Sequence, residues 1–285
     1  MSAPQNVIAV IFDFDDTLTD DSTTRLLEHH GIDPVDFWKV KAASLLKGGW
    51  DPTLAYLKLI LDEVGPGKKL GNLTNQKLRE FGSTLKIYSG VTTLFKDLKK
   101  IALEHPLSNP AVEFYVVSGG LEEIIRGSKI AKDLTGVWGN RFWEDPQRGC
   151  VSHLMNVLTF TEKTKHLFEI NKGIVEKTRV EHYAVNQHVE QSARRVPFKN
   201  MIYVGDGLTD VPCFSLLQAN QGNGFGVFDP KKEGSPKKAF ETLVTTQRTK
   251  TVNSPHYGKN DDLGAFIRAA VHGICVRLDL ALHQA

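Results

Sequence analysis

The stretch VIAVIFDFDDTLTD, residues 7–20, follows six apolar residues with four aspartates, Asp13, Asp15, Asp16 and Asp20, in eight positions. Like charges at close range oppose one another's ionisation and resist burial, so a chain that gathers them needs a cation in their midst. Asp13 and Asp15 flank Phe14, and on an extended strand end their side chains share one side. Far along the chain, Gly205-Asp206-Gly207-Leu208-Thr209-Asp210 closes another apolar run. The spacing of four sets Asp206 and Asp210 on one face of the following helical turn. If parallel strands deliver both stretches to one rim, hard oxygen ligands converge there, and Mg²⁺ is the cation that suits them.

A third stretch, Val117-Ser118-Gly119-Gly120, precedes LEEII. A hydroxyl followed by two glycines at a helix amino terminus exposes backbone N–H groups and admits a close anion, an arrangement that binds phosphate. Carboxylates, a metal and a phosphate cradle together imply phosphoryl transfer with a carboxylate as nucleophile. Taken singly, each stretch also reads as a turn or loop. Their occurrence in this order, each at the end of a strand, is what carries the chemistry.

The elements that must position these residues are legible as four continuous apolar runs: Val7–Phe12, Val112–Val117, Met201–Val204 and Phe225–Phe228. Continuous rather than alternating runs read as buried parallel strands. A hairpin is expected over Val137–Phe160, turning at DPQRG. Strands alternating with helices predict an α/β fold with a doubly wound, mainly parallel sheet, its sites at the carboxyl ends of the strands. From Asp20 to Ser89 no strand is evident, and the patterns predict helices over Thr23–His30, Pro34–Leu46, Pro52–Val64 and Asn75–Leu85. Asp33 and Asp51 each precede a proline, as at helix starts. Residues 21–87 therefore read as an inserted helical cap domain, and residues 1–20 with 88–285 as the α/β catalytic core. The tail, Asp261–Leu282, is expected as a helix packed on the sheet.

Composition narrows the partners. With 285 residues, 41% hydrophobic and 24% charged, the chain can bury a large core. A net charge of +2 is too mild to imply nucleic acid or membrane, and basic pairs such as Lys99–Lys100 and Arg194–Arg195 are scattered and read as solvated. Cys150, Cys213 and Cys275 are odd in number and widely spaced, so reduced thiols in a cytoplasmic protein are expected. The first acid, Asp13, comes too early for a signal peptide or a membrane span. The expected partner is a small phosphorylated metabolite; oligomeric state is not encoded legibly.

The three motifs resemble those of the haloacid dehalogenase-like (HAD) superfamily of phosphatases. Asp13-Phe14-Asp15-Asp16-Thr17-Leu18 matches its Asp-x-Asp-x-Thr-Leu, Val117-Ser118-Gly119 its apolar-Ser/Thr-Gly, and Gly205 through Asp210 its Gly-Asp-Gly-x-x-Asp. The resemblance covers about residues 5–20 and 88–230. It implies that Asp13 attacks phosphorus to form an aspartyl-phosphate, while Asp15 protonates the leaving alcohol and then activates water. It implies that Ser118 and the Gly119 N–H hold the phosphoryl oxygens. Asp13, Asp206 and the Asp15 carbonyl would ligate Mg²⁺, with Asp210 supporting that shell. The helical insertion and the later hairpin resemble the phosphoserine phosphatase branch. The cap departs from that branch: by count, Ser22 stands where an acid is expected and Lys58 near the place of an arginine.

The family's phosphate-binding lysine has no fixed motif, and Lys163 and Lys165 both stand at the start of a helix ending near Gly173. Helix phase favours Lys163. It lies four positions before Leu167 and seven before Ile170, on the apolar side, with Thr161 as the expected N-cap. Lys165 is two before Leu167, about 200° away. Two other readings stand beside a Mg²⁺-dependent phosphatase: a phosphomutase or phosphotransferase, and a catalytically idle metabolite-binding regulatory module. A dehalogenase has no use for the acid–base Asp15.

Overall fold

The computed structural model describes residues 5–175, 180–231 and 233–283. At its centre is a seven-stranded sheet. In chain order its strands are β1 (Val7–Phe12), β2 (Ala111–Leu121), β3 (Gly136–Asp145), β4 (Cys150–Asn156), β5 (Met201–Gly205), β6 (Asn223–Val227) and β7 (Val252–Asn253). They lie in the order β4-β3-β2-β1-β5-β6-β7. All neighbouring pairs are parallel except the β3–β4 hairpin. The side chains of β1 alternate between two cores: Ile8, Val10 and Phe12 enter one, and Val7, Ala9 and Ile11 the other. A strand covered on both faces has no polar side to show, which is why it reads as an unbroken apolar run.

The helices are α1 (Ser22–His29), α2 (Ala43–Lys47), α3 (Pro52–Asp62), α4 (Asn75–Thr84), α5 (Val91–Leu103), α6 (Glu122–Gly127), α7 (Glu162–Lys172), α8 (Val211–Ala219), α9 (Ser235–Ala239) and α10 (Asp262–His283). Between β1 and β2 the chain is helical, entering and leaving at one point. Thr19 bridges Ile87, Tyr88 N–H donates to Leu18 O at 2.8 Å, and Thr19 Oγ1 donates to Lys86 O at 3.0 Å. Side chains start these helices. Asp21 Oδ1 accepts from Thr24 N at 2.6 Å, Asp51 Oδ1 from Thr53 N at 2.9 Å, and Thr74 Oγ1 from Lys77 N at 3.1 Å. α10 packs against α5 through the core that contains Val91, Leu94, Leu98, Ile267 and Val271. Among the described residues no helix is long and apolar enough to cross a membrane.

Four sequence expectations need correction. The helix expected over Pro34–Leu46 is a wide π-turn, Asp36–Ala42, followed by α2. The extra residue of a π-turn shifts side-chain phase; here Phe37 is buried and the Trp38 indole N–H donates to Thr24 Oγ1 at 2.9 Å. β2 continues through Ser118-Gly119-Gly120 to Leu121. β6 begins at Asn223, two residues early, because Asn-Gly imitates a turn. Gly224 is there to make room for Phe214, whose Cδ1 would lie 2.8 Å from a Cβ. β7, two residues long, has no periodicity to read. Arg195, read as solvated, pairs with Glu113 at 2.6 Å.

Two glycines let α4 lie directly on α6. A Cβ on Gly82 would collide with the Ile124 carbonyl, and one on Gly127 with the Arg79 carbonyl. The Arg79–Glu123 ion pair closes the same crossing. Backbone on backbone leaves nowhere for an added atom to go. Gly82→Ala should therefore lower stability by about 1–3 kcal/mol, the usual range for overpacking, although alanine is the better helix former. Urea unfolding of the variant checks this, and an unchanged midpoint would show that the crossing is loose.

Candidate functional site

β1 ends where the chemistry begins. Asp13 N–H donates to Val204 O at 2.8 Å, tying the strand end to β5. Asp13 itself is 5% exposed. Its Oδ1 accepts from Phe14 N at 2.7 Å and its Oδ2 from Lys163 Nζ at 2.9 Å. Lys163, in the first turn of α7, is 1% exposed and also donates to Asp210 Oδ1 at 2.6 Å. Lys165 lies at the surface against Glu162 at 3.4 Å. Thr161 precedes α7 but does not cap it: its own backbone is already helical, so its hydroxyl is not aimed at the orphan N–H groups.

Asp210 is fully buried. Besides Lys163 it accepts from Tyr203 OH at 2.6 Å and Gly207 N at 3.0 Å. Gly205 must be glycine, since its Cβ would stand 2.5 Å from Asp210 Oδ2. Asp206, half-buried, completes the group: carboxylate oxygens of Asp13, Asp206 and Asp210 lie within 4.8 Å of one another. Two short strand-end turns thus deliver three acids to one point around a single described lysine.

Across the cleft, the Ser118-Gly119-Gly120 segment forms the irregular end of β2, where the register with β3 shifts. It is not the amino terminus of a helix: α6 starts later, at Glu122, and has only six residues. Any anion-facing N–H groups here come from strand-end backbone rather than from a helix dipole. Ser118 is buried, with its Oγ accepting from Gly120 N at 3.1 Å. A Cβ on Gly119 would meet nothing within 4 Å, so this residue faces open space. Its carbonyl is held by Tyr56 OH at 2.5 Å and by the Asn140 amide. Asn140 in turn accepts from Leu158 N at 2.6 Å. Tyr56, Asn140 and Tyr203 escaped the sequence reading because each sits inside an ordinary helix or strand pattern with no local motif.

The Asp15 carboxylate faces this second wall. Its Oδ1 accepts from Ser22 N at 2.8 Å, and a Cβ on Gly120 would collide with its Oδ2. An open cleft of about 220 Å³ exposes Asp13, Asp15, Ser118, Gly119 and Asp206 together, with Thr23, Trp38 and Tyr56 on its outer side. Of the cap residues noted in the sequence, Ser22 thus supports Asp15, while Lys58 pairs with Asp62 at the surface and does not line the cleft.

Electrostatics follow burial. Desolvation raises the Asp13 carboxyl, Lys163 pulls it back, and Asp210 pushes it up again. Burial, then the Asp21 charge, lifts Asp15 well above the usual carboxylate range. Asp206 is lifted well above it by burial and by Asp13 and Asp210. Burial would lower Lys163, but the Asp13 and Asp210 carboxylates outweigh it and its pKa is raised. Acids held so reluctantly in charged form, all hard oxygen donors, fit a hard divalent cation.

Comparison with known proteins gives this arrangement its relatives. No family model matches the chain. An uncharacterized protein of Borreliella burgdorferi is 31% identical over 267 residues, covering 86% of this chain and 91% of that one. The chain belongs to one family with it. Among solved structures, a substrate-bound phosphoserine phosphatase complex covers 92% of this chain and 97% of its own, with a TM-score of 0.53 and 15% identity. A phospho-aspartyl intermediate analogue of phosphoserine phosphatase gives a TM-score of 0.52 and 14% identity over 93% of this chain and 99% of that chain. A HAD family hydrolase of Salmonella enterica serovar Typhi gives 0.52 and 15%, covering 85% and 70%. The fold is HAD-like, resembling the phosphoserine phosphatase branch.

The buried ion triad has a measurable cost when broken. Lys163→Met removes the ammonium and leaves Asp13 with burial and the Asp210 charge, which both raise its carboxyl in the folded state. Stability should fall by about 3–5 kcal/mol at neutral pH. A carboxyl raised in the folded state loses stability as pH climbs above its ordinary unfolded value, so the deficit should shrink near pH 4. Urea titrations of both proteins at pH 4 and pH 7 test this. A deficit equal at both values would mean that lost packing, not lost charge, is responsible.

Proposed function

We propose that the protein is a Mg²⁺-dependent phosphatase that hydrolyses a small soluble phosphomonoester through an aspartyl-phosphate. The observation that carries this reading is the Asp13 carboxylate, fixed by Lys163 at 2.9 Å and exposed at the base of a cleft that also holds Asp15, Asp206 and the Ser118–Gly119 backbone. Asp13 attacks phosphorus, an acyl-phosphate bond forms, and the bond to the alcohol oxygen breaks. Asp15, whose carboxyl burial and the Asp21 charge lift well above the usual range, gives a proton to that oxygen. Water then attacks the same phosphorus, Asp15 takes a proton from it, and inorganic phosphate leaves with Asp13 restored. Ser118, the Gly119 N–H and Lys163 hold the phosphoryl oxygens through both steps. Asp13, Asp206 and the Asp15 carbonyl would hold Mg²⁺, with Asp210 behind them, and the ion supplies positive charge to the phosphoryl group.

The leaving group would face Thr23, Trp38, Tyr56 and Asp21. Among the described residues that line this cleft there is no arginine or lysine, but Arg25 and Lys231 line an adjoining hollow that shares Asp16, Asp21 and Trp38 with it, so the lining alone does not set the charge of the leaving alcohol. Three buried free thiols suit a cytoplasmic, reducing location.

Asp13→Asn keeps shape and removes the attacking charge. Turnover of p-nitrophenyl phosphate with Mg²⁺ should fall at least ~10³-fold in a variant that circular dichroism shows to be folded. Near-normal activity in this variant would sink the covalent mechanism. Removal of metal gives a second test. A chelator should abolish turnover, Mg²⁺ should restore it, and Ca²⁺ should inhibit, because its looser coordination spoils the approach of Asp13. Full activity in chelator would leave the three converging acids without a role.

A further inference from the structure

Two glycines in succession hold a peptide plane poorly. Gly119 and Gly120 lack the Cβ that restricts backbone rotation, and a Cβ on Gly119 would meet nothing within 4 Å. The β2–β3 register also shifts across them, between Val117 and Leu121. What fixes this peptide is a closed triangle of side-chain hydrogen bonds. Tyr56 OH donates to the Gly119 carbonyl at 2.5 Å. Asn140 donates to the same oxygen and to Tyr56 OH, the latter at 2.7 Å. A carbonyl oxygen has two lone pairs, and both are thereby taken.

The triangle has one orientation only. The buried Asn140 amide cannot turn over, because its Oδ1 accepts from Leu158 N at 2.6 Å. The Tyr56 phenol stays a donor, since burial pushes its pKa far above the ordinary value. A trans peptide is planar, with its C=O and N–H on opposite sides. Holding the Gly119 carbonyl therefore aims the Gly120 N–H, which donates to Ser118 Oγ at 3.1 Å. A hydroxyl that accepts on one side must donate on another. Burial raises the Asp13 carboxyl, and the Ser118 hydroxyl is among the groups that lower it, so this hydroxyl stands on Asp13's side of the cleft.

We propose that Tyr56 and Asn140 are positioning residues for the phosphoryl group: they lock the Gly119–Gly120 peptide and through it aim the Ser118 hydroxyl at a phosphoryl oxygen. That oxygen comes from the phosphatase reading, on which the assignment rests. Tyr56 stands 63 residues from Gly119, on α3 of the helical insertion; Asn140 stands on β3 of the sheet. Phosphate is therefore held by a hydroxyl whose direction both parts of the molecule set. The lock is complete before any anion arrives, so binding need not order two glycines.

The inhibition constant of inorganic phosphate, measured against p-nitrophenyl phosphate with Mg²⁺, tests this relay. A misfolded fraction lowers apparent turnover and leaves that constant alone. Tyr56→Phe removes one oxygen and should raise the constant about 10-fold, the upper end for one hydrogen bond. Asn140→Asp keeps the acceptor for Leu158 N but sets an oxygen against the Gly119 carbonyl, and should raise it further. Ser118→Ala removes the end of the relay. In that background Tyr56→Phe should change the constant by less than about 2-fold, as expected of residues that act as a unit. An unchanged constant in Tyr56→Phe, or the same loss with and without Ser118, would overturn the proposal alone. A wild type with no turnover would overturn the phosphatase reading, and this proposal with it.

Discussion

One buried ammonium holds the site together. Lys163 reaches Asp13 at the end of β1 and Asp210 after β5 from the first turn of α7, joining three segments separated by 150 and 47 residues. A lysine at a helix amino terminus is disfavoured by the dipole, and burying it is worse. It persists because two carboxylates sit within hydrogen-bond reach. Those carboxylates, equally costly to bury alone, persist because of it. Strand order follows from the same requirement: β1 and β5 must be neighbours for Asp13 N–H to reach Val204 O and for both acids to stand over one lysine.

The sequence announced what burial and periodicity dictate. β1 has the bounds expected of it, because both its faces are covered and no polar residue interrupts it. The phase that set Lys163 on the side of Leu167 and Ile170 is a property of the α-helix alone, and the structure buries that lysine and leaves Lys165 at the surface. The failures share another cause. Ser118-Gly119-Gly120 has the composition of a loop, yet pairing with β3 keeps it within β2. Tyr56, Asn140 and Tyr203 act through partners 63, 21 and 7 residues away. Only the last separation is short, and none belongs to a periodicity. Local pattern cannot show a side chain whose purpose is to hold a distant carbonyl or carboxylate.

The helical insertion is not a lid resting loosely on the sheet. α4 meets α6 backbone to backbone at Gly82 and Gly127, and α6 follows directly on the strand end that presents Ser118 and Gly119. Tyr56 of α3 bonds the Gly119 carbonyl itself. The outer wall of the cleft and the Ser118–Gly119 backbone are thereby packed as one unit, which β2 ties to β1 in the sheet.

Charge balance explains why the resting arrangement is a prepared one. Three acids, Asp13, Asp206 and Asp210, gather around one ammonium with Asp15 across the cleft, and burial raises Asp13, Asp15 and Asp206. An ammonium has three protons to donate. Lys163 gives two to Asp13 and Asp210 at 2.9 and 2.6 Å, and its contact to Thr209 Oγ1 is long, at 3.4 Å. One proton is therefore weakly committed on the side where Thr209 meets the cleft. In the proposed reaction, a phosphoryl oxygen arriving there would accept a hydrogen bond from that proton without breaking either carboxylate bond, and Asp13 would keep its orientation as the anion binds. On the proposed reading, a divalent cation held by Asp13 and Asp206 would offset the charge that the phosphoryl group adds. With Asp13 as the proposed nucleophile, the lysine would fix it before substrate arrives and need no rearrangement to hold it afterwards.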